Sequence, residues 1–338
     1  MRNLLIIDKE EYKEKHSEYI NMMNGQLAGE NEIFYTAYED GVIRKVRNYK
    51  YICSALQHIL YWKKSYAYAK EILKNKYDNI YCLNPIVGLF LGLKSKTSRI
   101  LLAGFLFEPK RNRIYYFLRK RIVRFALKGI DKAVVYGSKE VGYYTELFPE
   151  TKFVFLKYGI DFTEPVDYES KKIPEKYIFS GGGSNRDYRT LINAYNKHLS
   201  SQHKLVIATQ PWRLDNLDTS RIVVLEDVVL ENFGDVIRKA ELLVLSLYDR
   251  NISAGHMVMF QAMSLGIPIV VNDIATIRDY VDEKSVTFFE SKNQKELGEK
   301  VIEFFQNPER YKRLAANAVE VYKKEMTFAS LLKRLFML

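Results

Sequence analysis

The sequence is poor in cysteine, in long apolar runs and in metal-binding motifs. Its 338 residues include two cysteines, Cys53 and Cys82, which belong to no Cys-x-x-Cys pair and to no cluster with histidine. Neither a disulfide framework nor a zinc site is indicated, and we expect buried free thiols. No apolar run reaches the roughly 18 to 20 residues that a membrane-spanning helix needs. No Asp-x-Asp pair stands at a predicted strand end, so we expect no metal ion and no cofactor.

The pattern of the N-terminal residues is not the one expected of a secretory signal. The first residues, MRNLLIIDKEEYKE, become polar and acidic from Asp8 instead of continuing as the apolar centre of a signal peptide. Hydrophobic residues make up 47% of the chain and aromatic residues 14%, which is enough to bury a large core. The length favours two domains. We therefore expect a globular protein in the cytoplasm.

Positive charge is in excess and concentrated in one place. The chain has 52 Lys and Arg against 41 Asp and Glu, a net charge of +11. This balance implies an anionic partner, and nucleic acid, anionic lipid and a phosphorylated substrate all fit it. The segment from Lys110 to Lys128, here called the basic block, contains eight basic residues and no acidic one. It predicts an amphipathic helix, since apolar and aromatic residues alternate with the charges.

Short apolar segments typical of buried parallel strands alternate with helical patterns, and the alternation restarts once. The predicted strands are residues 3–8, 32–38, 79–83, 99–105, 132–137 and 152–159, then 177–183, 204–209, 221–227, 242–248, 267–273 and 285–290. A polar stretch with two prolines, 161–176, separates the two groups and is the predicted linker. The pattern predicts an α/β fold with two doubly wound parallel-sheet domains, 1–160 and 177–338, the second ending in helices.

A glycine-rich junction follows the first strand of the second domain. In FSGGGSNRDYRTLINAY, residues 179–195, a strand ends in Gly181, Gly182 and Gly183, and Ser184, Asn185 and Arg186 precede a helix. Glycine lets the backbone approach a ligand, and the start of a helix offers unpaired N–H groups to an anion. The alternative is a tight turn alone, with Asn185 or Asp187 capping the helix.

A second junction of this kind is NISAGHMVMFQAMSLGIPIVVND, residues 251–273. Small residues at Ser253, Ala254 and Gly255 leave room for a ligand at the start of a helix, and His256, Met257 and Val258 carry its first N–H groups. For Met257, Met259 and Phe260 we expect core packing. For His256 a partly exposed loop position is the simpler interpretation. Gln261 needs hydrogen-bond partners among its apolar neighbours, and a ligand is one possibility.

The segment QAMSLGIPIVV resembles the glycosyltransferase family 4 enzymes, which have the GT-B fold of two Rossmann-like domains facing a central cleft. The resemblance covers about residues 177–290. In that family two glutamates with seven residues between them precede Ala-Met; here Ser253 and Gln261 stand in their places. By resemblance, Gln261 binds the ribose, Ser253 contacts the donor sugar, and backbone amides from Gly255 to Val258 hold the diphosphate.

The resemblance extends to the glycine loop and to a third strand end. Arg186 matches the family's diphosphate-binding Lys, whereas no residue matches its Arg. Asp227 and Val228 match the region that holds the nucleobase. The implied donor-binding residues are Gly181, Gly182, Gly183, Ser184, Asn185, Arg186, Asp227, Val228, Ser253, Ala254, Gly255, His256, Met257, Val258 and Gln261, of which Arg186, Ser253 and His256 are the candidate catalytic residues.

The first domain is expected to bind the acceptor. Asn84 and Glu108 follow predicted strands and are candidates for contacts with it. The helix of the basic block, with Arg119, Lys120, Arg121 and Arg124, predicts attachment to an anionic membrane surface. An ordinary surface helix with a basic outer face is the alternative.

The resemblance implies a metal-independent, retaining hexosyltransferase. It would use a nucleotide-diphosphate sugar as donor and a lipid-linked saccharide as acceptor in the biosynthesis of a capsule, an exopolysaccharide or an O-antigen, at the inner face of the cell membrane. Two alternatives stay open: a catalytically silent nucleotide-sugar-binding partner of another transferase, and a sugar-nucleotide epimerase of the same fold. No RNP, KH or helix-turn-helix pattern is present, so nucleic acid is not an expected partner.

Overall fold

The computed structural model describes residues 1–8, 10–38, 50–95, 98–109, 112–170, 172–226, 228 and 230–338. The chain forms two compact units. The first comprises Met1–Leu156 together with Leu332–Leu338, and the second comprises Lys157–Leu331. The polar stretch 161–176 thus lies within the second unit.

The first unit is a parallel six-stranded sheet with helices. Its strands are β1 (Arg2–Ile7), β2 (Glu30–Tyr35), β3 (Asn79–Cys82), β4 (Arg99–Ala103), β5 (Lys132–Val135) and β6 (Phe153–Phe155), in the order β2-β1-β3-β4-β5-β6. Its helices are α1 (His16–Gln26), α2 (Lys50–Ile72), α3 (Pro85–Lys94), α4 (Arg113–Leu127) and α5 (Ser138–Leu147).

Burial on both faces explains why the strands of this sheet read as continuous apolar runs. The consecutive residues Leu4, Leu5 and Ile6 of β1 are all buried, although neighbours in a strand point to opposite faces. Two helices of this unit, α3 and α4, begin at an asparagine whose side chain caps them. Asn112 caps α4 by accepting a hydrogen bond from the backbone N–H of Tyr115.

The second unit repeats this architecture. Its strands are β7 (Ile178–Gly181), β8 (Leu205–Ala208), β9 (Val223–Leu225), β10 (Leu242–Leu245), β11 (Ile269–Asn272) and β12 (Thr287–Phe289), in the order β12-β11-β10-β7-β8-β9. Its helices are α6 (Tyr188–Ala194), which continues in a π-helical turn, α7 (Leu230–Arg238), α8 (His256–Ser264), α9 (Ala275–Arg278), α10 (Gln294–Gln306), α11 (Pro308–Glu325) and the first part of α12 (Phe328–Phe336), whose residues from Leu332 onward belong to the first unit.

Two cores cover the two faces of the second sheet. Leu243 and Leu245 of β10 pack in the core that contains Met259 and Phe260 of α8. Leu242 and Val244 point the other way, into the core formed with α6 and α10. The core packing expected for Met259 and Phe260 is confirmed, and both are fully buried. It is wrong for Met257, which is 41% exposed on the outer side of α8.

The twelve predicted strands are all confirmed, mostly with shorter ends. The prediction 152–159, for example, becomes β6 at Phe153–Phe155. The strand ends at Phe155, before the predicted end. Apolar residues continue into the loop that follows, so the apolar pattern does not mark where the strand ends. No helix in the described part of the chain has both the length and the apolar content needed to cross a bilayer.

Candidate functional site

The two glycine-containing junctions of the second unit lie side by side. Strands β7 and β10 pair in parallel, with Leu242 opposite Ile178 and Leu243 opposite Phe179. The segments that follow them are also hydrogen-bonded: the N–H of Asp187 donates to the carbonyl of Ser246 at 2.9 Å, and that of Tyr248 donates to the carbonyl of Asn185 at 3.1 Å. The two junctions therefore lie together at the carboxyl end of the β7–β10 pair.

The glycine loop, Gly181–Arg186, has room for guanidinium groups because its glycines lack side chains. Gly182 has a φ of +103°, and a Cβ there would lie 2.6 Å from Nη2 of Arg186. A Cβ on Gly183 would lie 2.8 Å from Nη2 of Arg213. Both distances are below any normal contact, so larger residues would displace the two arginines. The glycines thus form a tight turn that also admits two cationic groups.

Capping of α6 falls to Asp187. Its carboxylate accepts a hydrogen bond from the backbone N–H of Thr190 at 3.1 Å and one from the hydroxyl of the same residue at 2.7 Å. Asn185 has a φ of 56°, and its Nδ2 donates to the carbonyl of Tyr248 at 2.8 Å. Capping by Asn185 is therefore wrong, since this side chain instead fastens the glycine loop to the segment after β10.

Arg186 is held by the loop that it ends. Its Nε donates to the carbonyl of Gly181 and its Nη1 to the carbonyl of Ser184, both at 2.8 Å. Burial lowers the pKa of Arg186, and the nearby charge of Arg213 lowers this pKa further. Within the described ranges no carboxylate forms an ion pair with Arg186, so its positive charge has no protein counter-ion there.

The start of α8 faces the same guanidinium group. Gly255 is the N-cap of α8, with a φ of +88° that favours glycine. A Cβ on Gly255 would lie 2.9 Å from Cδ1 of Leu247 and 3.6 Å from Nη1 of Arg186. The positive end of the α8 dipole thus lies close to Arg186, which has no acidic partner among the described residues. An arrangement of this kind favours the binding of an anion.

His256, the first residue of α8, is 6% exposed. Its Nε2 donates to the carbonyl of Thr276 at 2.8 Å, and its ring lies against those of Tyr280 and Phe260. Burial lowers the pKa of His256 to about 4, so the imidazole is neutral near pH 7. The partly exposed loop position is wrong because the side chain turns inward and ties the start of α8 to α9. A catalytic role for His256 stays a prediction.

Other predicted donor-binding residues differ in exposure. Ser253 and Gln261 are half-buried, whereas Ala254 and Val258 are buried. Nε2 of Gln261 lies 2.5 Å from the position of a Cβ on Gly234 of α7, so this glycine makes room for the amide. Val228 is buried in the core, which leaves only its backbone for contact with a base. Asp227 lies outside the described residues.

Asn84 of the first unit is 2% exposed and caps α3. Its Oδ1 accepts hydrogen bonds from two backbone N–H groups of α3. Its Nδ2 lies within hydrogen-bond distance of Asp8, Thr36 and Tyr38, at 2.8, 3.1 and 2.7 Å. These contacts give Asn84 a structural role, and an acceptor would reach it only by replacing one of them.

The residues predicted to meet an acceptor or a membrane lie in different environments around α4. The carbonyl of Glu108 accepts from Nη1 of Arg119 at 3.1 Å, and the guanidinium of Arg119 lies 4.4 Å from the centre of the Phe107 ring. Arg119 is thus held against its own unit. Lys120 is half-buried, Arg121 is exposed, and Arg124 forms an ion pair with Glu150 at 2.9 Å.

Large apolar side chains are exposed on the outer face of α4. The most exposed are Ile114 at 74%, Phe125 at 64%, Phe117 at 56%, Leu118 at 54% and Ile122 at 50%. Ile114, Leu118, Ile122 and Phe125 follow one another at the spacing that forms a stripe along a helix. We call these four residues the apolar stripe. Arg113, Arg121 and Arg124 are exposed beside it. The outer face is therefore apolar as well as basic, which an ordinary basic surface helix does not explain.

Sequence reasoning missed Arg213. This residue belongs to a short 3-10 turn, Pro211–Arg213, in the loop that follows β8. Because β8 pairs with β7, this loop leaves the same edge of the sheet as the glycine loop. No local motif marks Arg213. Only the strand order, read together with an arginine after the second apolar strand of the second unit, would have found it.

Two parallel-sheet units and a candidate anion site at the carboxyl ends of β7 and β10 define the architecture of a two-domain α/β protein. Residues 175–307 match the model of the family described as glycosyl transferases group 1. The solved structures of similar fold show that the chain has the GT-B fold. The resemblance found in the sequence is confirmed.

Solved structures of similar fold cover nearly the whole chain. Sucrose-phosphate synthase from Thermosynechococcus elongatus is 11% identical, with a TM-score of 0.63 over 100% of this chain and 98% of its own. HepE from Anabaena is 10% identical, with a TM-score of 0.61 over 99% and 98%. A glycosyltransferase from Rickettsia africae is 13% identical, with a TM-score of 0.59 over 98% and 96%. No curated protein sequence matches the chain.

Proposed function

We propose that the chain is a glycosyltransferase that moves a hexose from a nucleotide-diphosphate sugar to a lipid-linked saccharide at an anionic membrane surface, as a step of cell-surface polysaccharide biosynthesis. Binding of the donor is supported by the closeness of Arg186 to the start of α8, next to a loop whose glycines leave room for two guanidinium groups. Such a site binds an anion through backbone N–H groups and a guanidinium together.

Related structures support a nucleotide-sugar donor. HepE from Anabaena has been solved with UDP, with UDP and glucose, and with UDP-glucose. HepE has the same fold over nearly its whole length. We extend the chemical class of its ligand, a nucleoside diphosphate carrying a sugar, to the second unit of this chain.

The proposed chemistry rests on stabilising the leaving group. When the bond from the anomeric carbon to the β-phosphate oxygen breaks, the electron pair stays on the phosphate. Arg186 and the positive end of α8 then meet a growing negative charge, and this interaction is stronger in the transition state than in the bound donor. We propose that the transfer retains the anomeric configuration and needs no metal ion. The anomer of the product, determined by NMR, and turnover in excess EDTA test these two statements.

The proposed attachment to a membrane surface rests on the exposed face of α4. A helix that exposes an apolar stripe flanked by arginines binds the interface of an anionic bilayer, because the apolar side chains enter the acyl region while the charges stay at the headgroups. The exposed fraction of the four stripe residues, 50 to 74%, is unusual for side chains of this kind in water. A lipid-linked acceptor would be presented at that surface.

Vesicle flotation tests the attachment to a membrane surface. The variant Ile114→Ser/Leu118→Ser/Phe125→Ser should lose most of its binding to phosphatidylglycerol vesicles, and Arg121→Gln/Arg124→Gln should lose part of it. As a matched control, Ile59→Ser/Val166→Ser removes two apolar side chains exposed elsewhere and should float like the wild type. Equal flotation of the stripe variant and the control would reject the membrane surface.

The catalytically silent partner is the second candidate, because Ser253 and Gln261 stand where the resembled family has carboxylates. Calorimetry with a panel of nucleotide sugars, with donor turnover assayed on the same samples, separates the two. Binding with turnover supports the transferase. Binding without turnover, in the presence of membrane extracts that supply acceptors, supports the silent partner.

A further inference from the structure

We infer that Arg213 is a second diphosphate-binding residue, supplied by the loop after β8 instead of by the glycine loop. The inference rests on the proposed nucleotide-diphosphate site and adds to it a residue that no motif in the sequence identifies. Arg213 would contact the phosphate that carries the sugar or the one next to it, opposite Arg186.

The glycine loop brings the two arginines together. The guanidinium of Arg186 occupies the space beside Gly182, and that of Arg213 occupies the space beside Gly183, the next residue. A side chain at Gly182 would displace the guanidinium of Arg186 from this place, and one at Gly183 would displace that of Arg213. The two consecutive glycines therefore let two cations lie against one stretch of backbone.

The two charges are held close together although they repel. Each guanidinium has a lowered pKa with burial as the largest cause, and Arg213 contributes to the lowering at Arg186. In the described ranges no carboxylate forms an ion pair with either residue. Nε of Arg213 is fixed at 2.7 Å from Oε1 of Gln210, a neutral partner that orients the guanidinium and leaves its charge uncompensated. An anion with two negative groups relieves this repulsion.

Arg213 also supplies the cationic residue for which the sequence comparison with the resembled family found no match. The glycine loop of the resembled family provides two cationic residues, and this chain provides one, Arg186. The neighbouring strand supplies the other from a different place in the sequence. The site therefore has the same number of cations, and the second one depends on the pairing of β7 with β8.

Calorimetry with nucleotides of different phosphate number tests the inference. We would titrate wild type, Arg213→Ala, Arg213→Lys and Arg186→Ala with UDP, GDP, dTDP and ADP, and with the monophosphate that matches the tightest binder. Arg221→Ala is the matched control, because Arg221 is also exposed but precedes β9, at the opposite end of the strands. Thermal unfolding of each variant checks that the fold is intact.

We expect Arg213→Ala to weaken binding of the diphosphate by about 10- to 100-fold, the range for loss of a charge-assisted hydrogen bond. Binding of the monophosphate should weaken by less than about threefold, and Arg213→Lys should recover part of the diphosphate affinity because it keeps the charge.

Other outcomes distinguish two failures. If Arg186→Ala weakens diphosphate binding and Arg213→Ala does not, or if Arg213→Ala weakens both nucleotides equally, the inference about Arg213 is wrong and the donor site remains. If the wild type binds none of the four diphosphates, the proposed function and the inference both fall.

Discussion

The carboxyl ends of the strands lead to opposite kinds of environment in the two units. At the ends of β1, β2 and β3, polar side chains contact one another, with Asn84 between Asp8, Thr36 and Tyr38. At the ends of β7, β8 and β10, glycines leave space and two arginines have no acidic partner in the described residues. At this edge of the first sheet the polar side chains thus hydrogen-bond one another. At the same edge of the second sheet, the described residues leave positive charge that an anion could neutralise.

This difference between the two sheet edges implies that one contributes to the stability of the fold and the other to the binding of a ligand. Hydrogen bonds among buried protein groups stabilise the fold, and deleting one partner leaves the others unsatisfied. A positive charge without a counter-ion does not stabilise the fold. It contributes favourable free energy only when an anionic ligand binds. Substitutions at the two edges should therefore change different measured quantities.

The largest effect is expected at the satisfied edge. Asn84→Ala removes the cap of α3 and the three contacts of Nδ2, and it should lower the free energy of unfolding of the first unit by about 3 kcal/mol. Urea unfolding measures the loss. Nucleotide affinity of the folded variant should equal that of the wild type. A variant of unchanged stability would mean that the edge is not a cooperative network.

A smaller effect, on a different quantity, is expected from Arg186. Arg186→Ala should lower turnover of the donor about thirtyfold, or roughly 2 kcal/mol, because a charge-assisted contact with the leaving phosphate is lost. Steady-state kinetics measures the change, and Arg221→Ala serves as the control. Turnover within about twofold of the wild type would contradict the phosphate-binding role.

The smallest expected effect concerns His256, which anchors the start of α8. Its folded-state pKa of about 4 lies below the ordinary value of 6.5, so the unfolded chain takes up the proton first as the pH falls. Stability due to this residue is thus present above about pH 6.5 and is lost on acidification, by about 1 kcal/mol between pH 7 and pH 5.5. Urea unfolding of wild type and His256→Gln at both pH values isolates this contribution. Equal losses in the two proteins would mean that the imidazole takes up a proton without cost in the fold.

Most of the fold could be predicted from the sequence because strands buried on both faces leave continuous apolar runs, such as LLII in β1 and LLVL in β10. The glycine loop and the start of α8 could also be predicted, because glycine and small residues in the local sequence indicate where the backbone can turn and a ligand can approach it. The parallel pairing of β7 with β10 then brings these two segments together.

Other features depend on tertiary contacts that no local pattern encodes. Arg213 reaches the site only because β8 lies beside β7. Burial of His256 depends on Thr276 and Tyr280, which follow it by about one further strand and turn. The apolar stripe of α4 has the helical period of a core face, and the sequence does not say that a second apolar face, built around Val123 and Leu127, already covers the core.

The neutral residues Ser253 and Gln261 have a consequence for how the proposed donor site would respond to acidity. Neither titrates, the two guanidinium groups stay protonated throughout the physiological range, and the buried imidazole stays neutral above about pH 4. Affinity for a donor would then follow the ionisation of the phosphates alone, so that mild acidification would leave donor binding nearly constant.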